Sequence, residues 1–385
     1  MKKHAILLAL LVIFKISYAQ EISLDKEKLL EFYQTQRYAE AAAYLASLYP
    51  AETTDVKALT QIAYCNMMAG KLVDAEKNYQ KINELQPQQI PVLFSLANIN
   101  SRRGNTKNAA DYLQQVVKID SNNFNAYKRL ADYTDSAALK LQHLQKANKL
   151  NATEADVAFD LARAYRNEKS YQRAYDVLKT AITADTSNLI LQQALLPIAN
   201  FLSKYNEVVI AGEKLIKNGA DANVVVDVAK AYFFLKNYKK AISLYQMLEK
   251  KAMQNEGTLY FTSLSYRELK NYEMAAAYAK RTIEEGISPN TSAYYNVLGG
   301  IYDEKQQLTQ AINAYKKGLT YSANKNIQYR LGLLYDLKLK QTKSAQIYYN
   351  QFLKNKQLND EDKAQIDYIK ARLEEFKPVA QKTSP

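Results

Sequence analysis

Tryptophan is absent from the 385 residues, cysteine occurs once, histidine twice, proline seven times and glycine ten times. Each shortage excludes something. With Cys65 alone the chain forms no internal disulfide, so its stability has to come from packing. Because Cys65 stands among Ala63, Tyr64 and Met67 in a helical pattern, it reads as a buried, inert thiol. Past the first 19 residues the one imidazole is His143, and a Ser-His-Asp relay or a zinc site needs converging partners. The pair Gly299-Gly300 lies inside a helical pattern, whereas a phosphate-cradling loop requires a preceding strand. The acidic groups Glu284-Glu285 and Asp360-Glu361-Asp362 fall at a helix end and a helix start, the second where negative charge complements the dipole. No catalytic constellation remains, so the sequence points away from an enzyme and implies no cofactor and no metal.

Long apolar runs are scarce too. The one of note, Ala5 to Phe14, is ten residues, against about 20 needed to cross a bilayer. It follows Lys2 and Lys3 and precedes Ser17-Tyr18-Ala19, so residues 1–19 have the layout of a secretory signal peptide cut before Gln20. No cysteine follows the cut to carry a lipid. The expected product is exported, to the periplasm or to the cell surface and beyond. Net charge is +13 at pH 7. Lysine outnumbers arginine and is dispersed, which with export argues against a nucleic-acid partner. One stretch stands out: Lys316, Lys317, Lys325, Arg330, Lys338, Lys340, Lys343, Lys354 and Lys356 face only Asp336. It is either a solvated repeat surface or a docking patch for an anionic partner.

What is abundant is period. Ala41, Ala75, Ala109, Ala174, Ala241, Ala275, Ala311 and Ala345 are separated by 34, 34, 65, 67, 34, 36 and 34 residues, so the two long intervals each hide a missing beat. A period near 34 is that of a repeated helical hairpin. In Val56–Pro87, Leu59, Ile62, Ala63 and Asn66 share one helical face, Gly70 breaks the helix, and Ala75, Tyr79 and Ile82 rebuild an apolar face. The pairs Ala63/Ala75, Ala97/Ala109, Ala162/Ala174, Ala229/Ala241 and Gly299/Ala311 are each twelve apart, the spacing that sets two helices at closest approach. A larger side chain there would cost about 1–3 kcal/mol. Tyrosines recur in register: Tyr165, Tyr232, Tyr266, Tyr302 and Tyr335 in the first helix, Tyr171, Tyr238 and Tyr272 opening the second. Aromatic rings can also stack on bases or sugars. Those in register read as core.

This pattern resembles the tetratricopeptide repeat over nearly all of the chain past the signal segment. The resemblance rests on a small residue before an aromatic in the first helix, a small residue opening the second, and an aromatic four later; Pro87 matches the family's closing proline. The chain departs from the family in lacking tryptophan, in lacking most closing prolines, and in carrying Leu196 and Val208 where small residues belong. Ten units begin near residues 22, 56, 90, 124, 155, 189, 222, 256, 292 and 325, the fourth about three residues short. The repeat array spans 22–356. Residues 360–376, with Ile366, Ile369, Leu373 and Phe376 on one face, form a solvating cap helix, and 377–385 a frayed tail.

The resemblance implies an all-α, right-handed superhelical solenoid of about ten hairpins, its concave groove lined by the first helices. Residues there outside the packing register are Tyr64, Phe94, Asn98, Arg129, Phe159, Arg163, Lys230, Phe233, Tyr260, Arg267, Asn296 and Tyr329. Some family members clamp a terminal carboxylate with lysine and asparagine; Asn98 with Arg129 comes nearest, but Phe94 occupies the lysine's place. The expected function is a non-enzymatic scaffold holding a peptide or protein partner, in the assembly of an envelope or secretion complex. The alternative is a basic adhesion module that binds an anionic envelope polymer or membrane surface through Lys316–Lys356.

Overall fold

The computed structural model describes residues 24–376, so the segment read as an export signal and the tail from 377 lie outside the described residues. The chain divides into two compact units, one ending at Glu168 and the other beginning at Lys169. Among the described residues there are 21 α-helices and no strand. The first unit holds α1 (Lys26–Gln34), α2 (Tyr38–Leu48), α3 (Val56–Met68), α4 (Leu72–Leu85), α5 (Ile90–Arg102), α6 (Thr106–Ile119), α7 (Phe124–Asp132), α8 (Ala137–Leu150) and α9 (Ala155–Asn167). The second holds α10 (Tyr171–Ala184), α11 (Leu189–Phe201), α12 (Tyr205–Lys217), α13 (Ala222–Phe234), α14 (Tyr238–Glu249), α15 (Glu256–Glu268), α16 (Tyr272–Glu284), α17 (Thr291–Glu304), α18 (Leu308–Leu319), α19 (Lys325–Leu333), α20 (Thr342–Leu353) and α21 (Lys363–Glu375). In chain order the odd-numbered helices up to α19 are the first, or A, helices of ten repeats and the even-numbered ones the B helices; α9 ends the first unit, α10 opens the second, and α21 stands alone.

Local chemistry accounts for the punctuation. Several A helices open on a side-chain cap: Asp55 for α3, Asn123 for α7, Asn188 for α11 and Asn324 for α19, while Asn255 and Thr258 form a reciprocal capping box on α15. Each satisfies backbone N–H groups that the first helical turn leaves unpaired. Between A and B the chain turns through one residue of positive φ in every repeat but the fourth. Glycine fills that place at Gly70 (φ 76°) and Gly104 (φ 80°), but Ser203, Lys236, Lys270, Gln306 and Lys340 hold it elsewhere at φ 56–62°. The strain is about 1–2 kcal/mol for a residue with a Cβ. It is offset by closure of the turn, as where the Asn237 N–H donates to the Tyr232 carbonyl at 2.8 Å.

Packing between paired helices follows the small-residue rule and shows how its exceptions are solved. Ala63, Ala75, Ala97, Ala109, Ala229 and Ala241 are fully buried. In the sixth pair Leu196 and Val208 replace the two small residues, and Gly212 follows one turn after Val208. A Cβ on Gly212 would collide with Val228 Cγ2 of α13 but make only ordinary contact, at 3.6 Å, with Leu196 Cδ1. This glycine therefore lets α12 approach the next A helix closely. In the tenth pair the interval from Gly332 to Ala345 is thirteen residues, one more than elsewhere. The surplus residue is absorbed as a π-turn over Leu334–Lys338 directly after α19. The short fourth pair loses its residues from the A helix, since α7 has nine residues and α8 keeps fourteen.

The lone helix α21 closes the end of the second unit. Ile369 is fully buried in a cluster with Leu331, Leu334, Tyr349 and Phe352. Arg372 reaches back to Asp336, and Asp362, in the 3₁₀ turn before α21, accepts from Lys325 at 2.6 Å. The acidic run Asp360–Asp362 thus does more than complement a dipole.

Candidate functional site

In the first unit, the A-helix residues outside the core register are only loosely joined. Tyr64 is 40% exposed and meets Tyr33 and Tyr38 edge-on, at 6.4 and 6.1 Å between ring centroids. Phe94 on α5 is half-buried and carries the exposed Arg129 of α7 over its face at 5.4 Å. Asn98 is half-buried one turn further along α5. Phe159 is half-buried on α9, and Arg163 is exposed and bonded to Asp160 at 2.8 Å.

In the second unit the corresponding residues merge into a chain of rings. Phe233 on α13 meets Phe261 on α15 at 5.2 Å; Tyr260 meets Phe261 at 5.6 Å and Tyr294 on α17 at 5.1 Å. Lys230 stands over Phe261 at 5.9 Å. Arg267 gives two further hydrogen bonds, of 3.0 and 3.1 Å, from Nε to the Glu304 carboxylate, so one A helix is tied to the next. That link continues through Lys338 to Asp303 at 2.5 Å and through Arg372 to Asp336 at 2.8 Å. Asn296 is half-buried with its side-chain oxygen unpartnered. Tyr329 turns toward the core, its ring 5.6 Å from Phe352.

Three groups escaped the register argument. Phe234 is 43% exposed and stacks on Tyr205 at 4.9 Å; Phe201 is 61% exposed and stacks on Tyr171. Asp227, alone among valines on α13, accepts from the Asn200 amide at 3.0 Å. Its isolation in an apolar run was the available signal. Burial pushes the Asp227 carboxyl up to about 6, with Asn200 and Lys230 pulling the other way. A folded pKa above the unfolded value of about 3.9 means the protonated form favours folding. That contribution is complete below pH 4 and lost as pH rises through 6. Asp227→Asn should therefore flatten the stability of this unit between pH 4 and 7 and raise it at pH 7, measured by urea titration. An unchanged pH profile would refute the assignment.

The basic stretch is partly neutralised. Lys325 pairs with Asp362 and Lys338 with Asp303, while Asp336 is taken by Arg372. Lys316, Lys317, Lys340, Lys343, Lys354 and Lys356 are exposed. His143 lies in a cleft lined by Thr106, Asp111 and Asp135, and burial lowers its pKa. No group of three His, Cys, Asp or Glu able to hold a metal ion occurs among the described residues, and no described helix is long and apolar enough to cross a membrane.

The geometry defines a protein built of repeated helical hairpins. Tetratricopeptide-repeat family models match residues 90–123, 292–325 and 327–355. These segments are the third, ninth and tenth pairs of the fold. The chain carries tetratricopeptide repeats at these segments, and such repeats support a scaffold for protein–protein interaction. Among solved structures it is similar to a tetratricopeptide repeat protein from Parabacteroides merdae, with 16% identity, 62% of this chain and 96% of that one covered, and a TM-score of 0.40. It is also similar to the human IFIT1 dimer with PPP-AAAA, at 14% identity, 92% and 87% coverage and a TM-score of 0.46. A third is the MamA protein, at 18% identity, 43% and 96% coverage and a TM-score of 0.37. No curated protein matches the chain in sequence.

Proposed function

We propose that the chain is an exported, non-enzymatic scaffold that holds a peptide or protein partner against its A helices, in the assembly of an envelope or secretion complex. The carrying observation is the ring chain Phe233–Phe261–Tyr260–Tyr294 across α13, α15 and α17, flanked by Lys230 and Arg267. Phe233, Phe261 and Tyr260 are half-buried and Tyr294, buried, backs them; partly exposed aromatics beside arginine are the mixture enriched at binding hot spots. Affinity capture from an envelope fraction, read by mass spectrometry, tests it. The variant Phe94→Ala/Phe159→Ala/Tyr260→Ala should lose the partner that the parent retains while keeping a cooperative melt. Because Phe94 and Tyr260 are half-buried, Arg129→Gln/Arg163→Gln, at two exposed positions, provides a second variant that removes charge without opening the core. Capture unchanged in both would end the reading.

The exposed lysines between Lys316 and Lys356 favour one other reading, an adhesion module for an anionic envelope polymer or membrane surface. Salt separates the two. Exposed charges are screened within about 8 Å at physiological ionic strength, so such a complex should dissociate on a modest salt step while an aromatic one persists.

A further inference from the structure

We infer that the second unit carries a binding site for an acidic sugar between its last two B helices. A cavity of about 480 Å³ lies between α18 and α20, bounded by the connection to α19. Its polar lining is Lys316, Thr320, Ser322, Gln328 and Gln351, and its rings are Tyr321 and Tyr348. Apart from Gln328, near the start of α19, these residues belong to the B helices and a loop, and none is among the A-helix positions assigned to the partner, so the inference does not depend on the partner-binding reading.

Three features select the ligand. Each ring is braced by a stacked partner: Tyr321 stacks on Tyr295 at 5.7 Å and 15°, and Tyr348 on Tyr335 at 5.6 Å and 0°. Braced aromatic faces are platforms for the C–H face of a pyranose, and such contacts gain from rings that need no ordering on binding. The lining also pairs hydroxyls with two amides, and an amide both donates and accepts, as vicinal sugar hydroxyls do. Gln328 is 7% exposed, and its oxygen is fixed by the Asn355 amide at 2.8 Å, which orients the group. Charge supplies the last selection. Lys316 lines the cavity and Lys317 stands 5.7 Å over the Tyr321 ring, with no carboxylate in the lining. Three other surface clefts each include acids: Asp74 and Glu84 in one, Glu207 in the second, Asp111 and Asp135 in the third. A cationic, ring-floored, amide-lined cavity of disaccharide size suits a carboxylated sugar unit, as in a uronate polymer.

The test uses the full chain and ligand-observed NMR titration with trigalacturonate, alongside the neutral maltotriose, the peptide triglutamate and AMP. Trigalacturonate should bind, maltotriose at least about tenfold more weakly, and triglutamate and AMP not at all. Tyr321→Ala, at a position 37% exposed, and Lys316→Met should each weaken trigalacturonate about tenfold or more. Lys343→Met and Lys354→Met, at exposed positions outside the cavity, should leave it unchanged. Equal binding of triglutamate would make the site a mere charge patch, and preference for AMP a nucleotide site. Either result, or an affinity indifferent to Tyr321→Ala and Lys316→Met, or no binding of trigalacturonate, overturns the proposal.

Discussion

Arg372→Ala should destabilise the C-terminal end of the second unit, because it strips the charged partner from the buried Asp336 carboxylate. Asp336 is 3% exposed and receives Nε of Arg372 at 2.8 Å, Nη2 at 2.9 Å and the hydroxyl of the fully buried Tyr349 at 3.1 Å. Without the guanidinium, a buried carboxylate keeps one neutral donor. Asp336→Ala should do less harm, because Arg372 is 30% exposed at its side chain and can turn to Glu375 and water. The order of the two variants is thus part of the expectation. Repeat arrays transmit stability mainly between neighbours, so the loss should appear as faster amide exchange in α21 and α20 and little change before α15. Arg372, first, and the Tyr349 hydroxyl hold the Asp336 carboxyl below its ordinary pKa. A depressed folded pKa gives stability that is present above about pH 4 and lost as pH falls through the folded value. The end of the unit should therefore loosen first in acid, and the Asp336→Ala variant should lack that step. Parent-like exchange in Arg372→Ala would show that α21 is held by Ile369 and its apolar neighbours alone.

That ion pair was not legible in the sequence, because 36 residues separate its members and the register says nothing about which surface charges meet. Periodicity was legible for a physical reason: each pair must bury the same face against the next, so the same spacing recurs wherever a hairpin does. Hence α3, α5, α7, α9, α11, α13, α15 and α19 begin at 56, 90, 124, 155, 189, 222, 256 and 325, where the alanine register places unit starts. Close approach between neighbouring pairs was hidden: nothing in the register says that Gly212 would be the position pressed against Val228 of α13. The π-turn at Leu334–Lys338 follows from thirteen residues doing the work of twelve, but spacing alone does not say whether a loop or a helix takes the surplus. For the interaction surface, register identified A-helix positions outside the core. It could not say that Tyr329 would turn to Phe352, that Arg267 would be tied to Glu304, or that the cavity beside Tyr321 would form between B helices. Those depend on rotamers and on how helices of one pair or of neighbouring pairs meet.

Gly299→Ala should destabilise the second unit by about 1–3 kcal/mol, although alanine favours a helix over glycine by about 1 kcal/mol. The added Cβ would stand 2.5 Å from two carbons of the Tyr315 ring, and Tyr315 is fully buried with no room to retreat. Gly332 repeats the arrangement, its Cβ falling 2.4 Å from the ring of Tyr349, also fully buried. The residue four after the small residue of the B helix faces this position of the A helix. Where that residue is leucine, as at Leu113, the A helix carries alanine, Ala97; where the ring of Tyr315 or Tyr349 lies flat against the A helix, only glycine fits. Tyrosine there does not by itself forbid alanine, since Tyr79 and Tyr245 coexist with Ala63 and Ala229. The steric claim is therefore about ring placement, and a double-mutant cycle isolates it. Tyr315→Leu alone should destabilise by leaving unfilled space over Gly299. Gly299→Ala/Tyr315→Leu should recover part of both losses, because it recreates the Ala97/Leu113 contact, with a coupling of about 1–3 kcal/mol in urea denaturation. Additive losses in the cycle would mean that the ring moves aside freely and that glycine at 299 is kept for another reason.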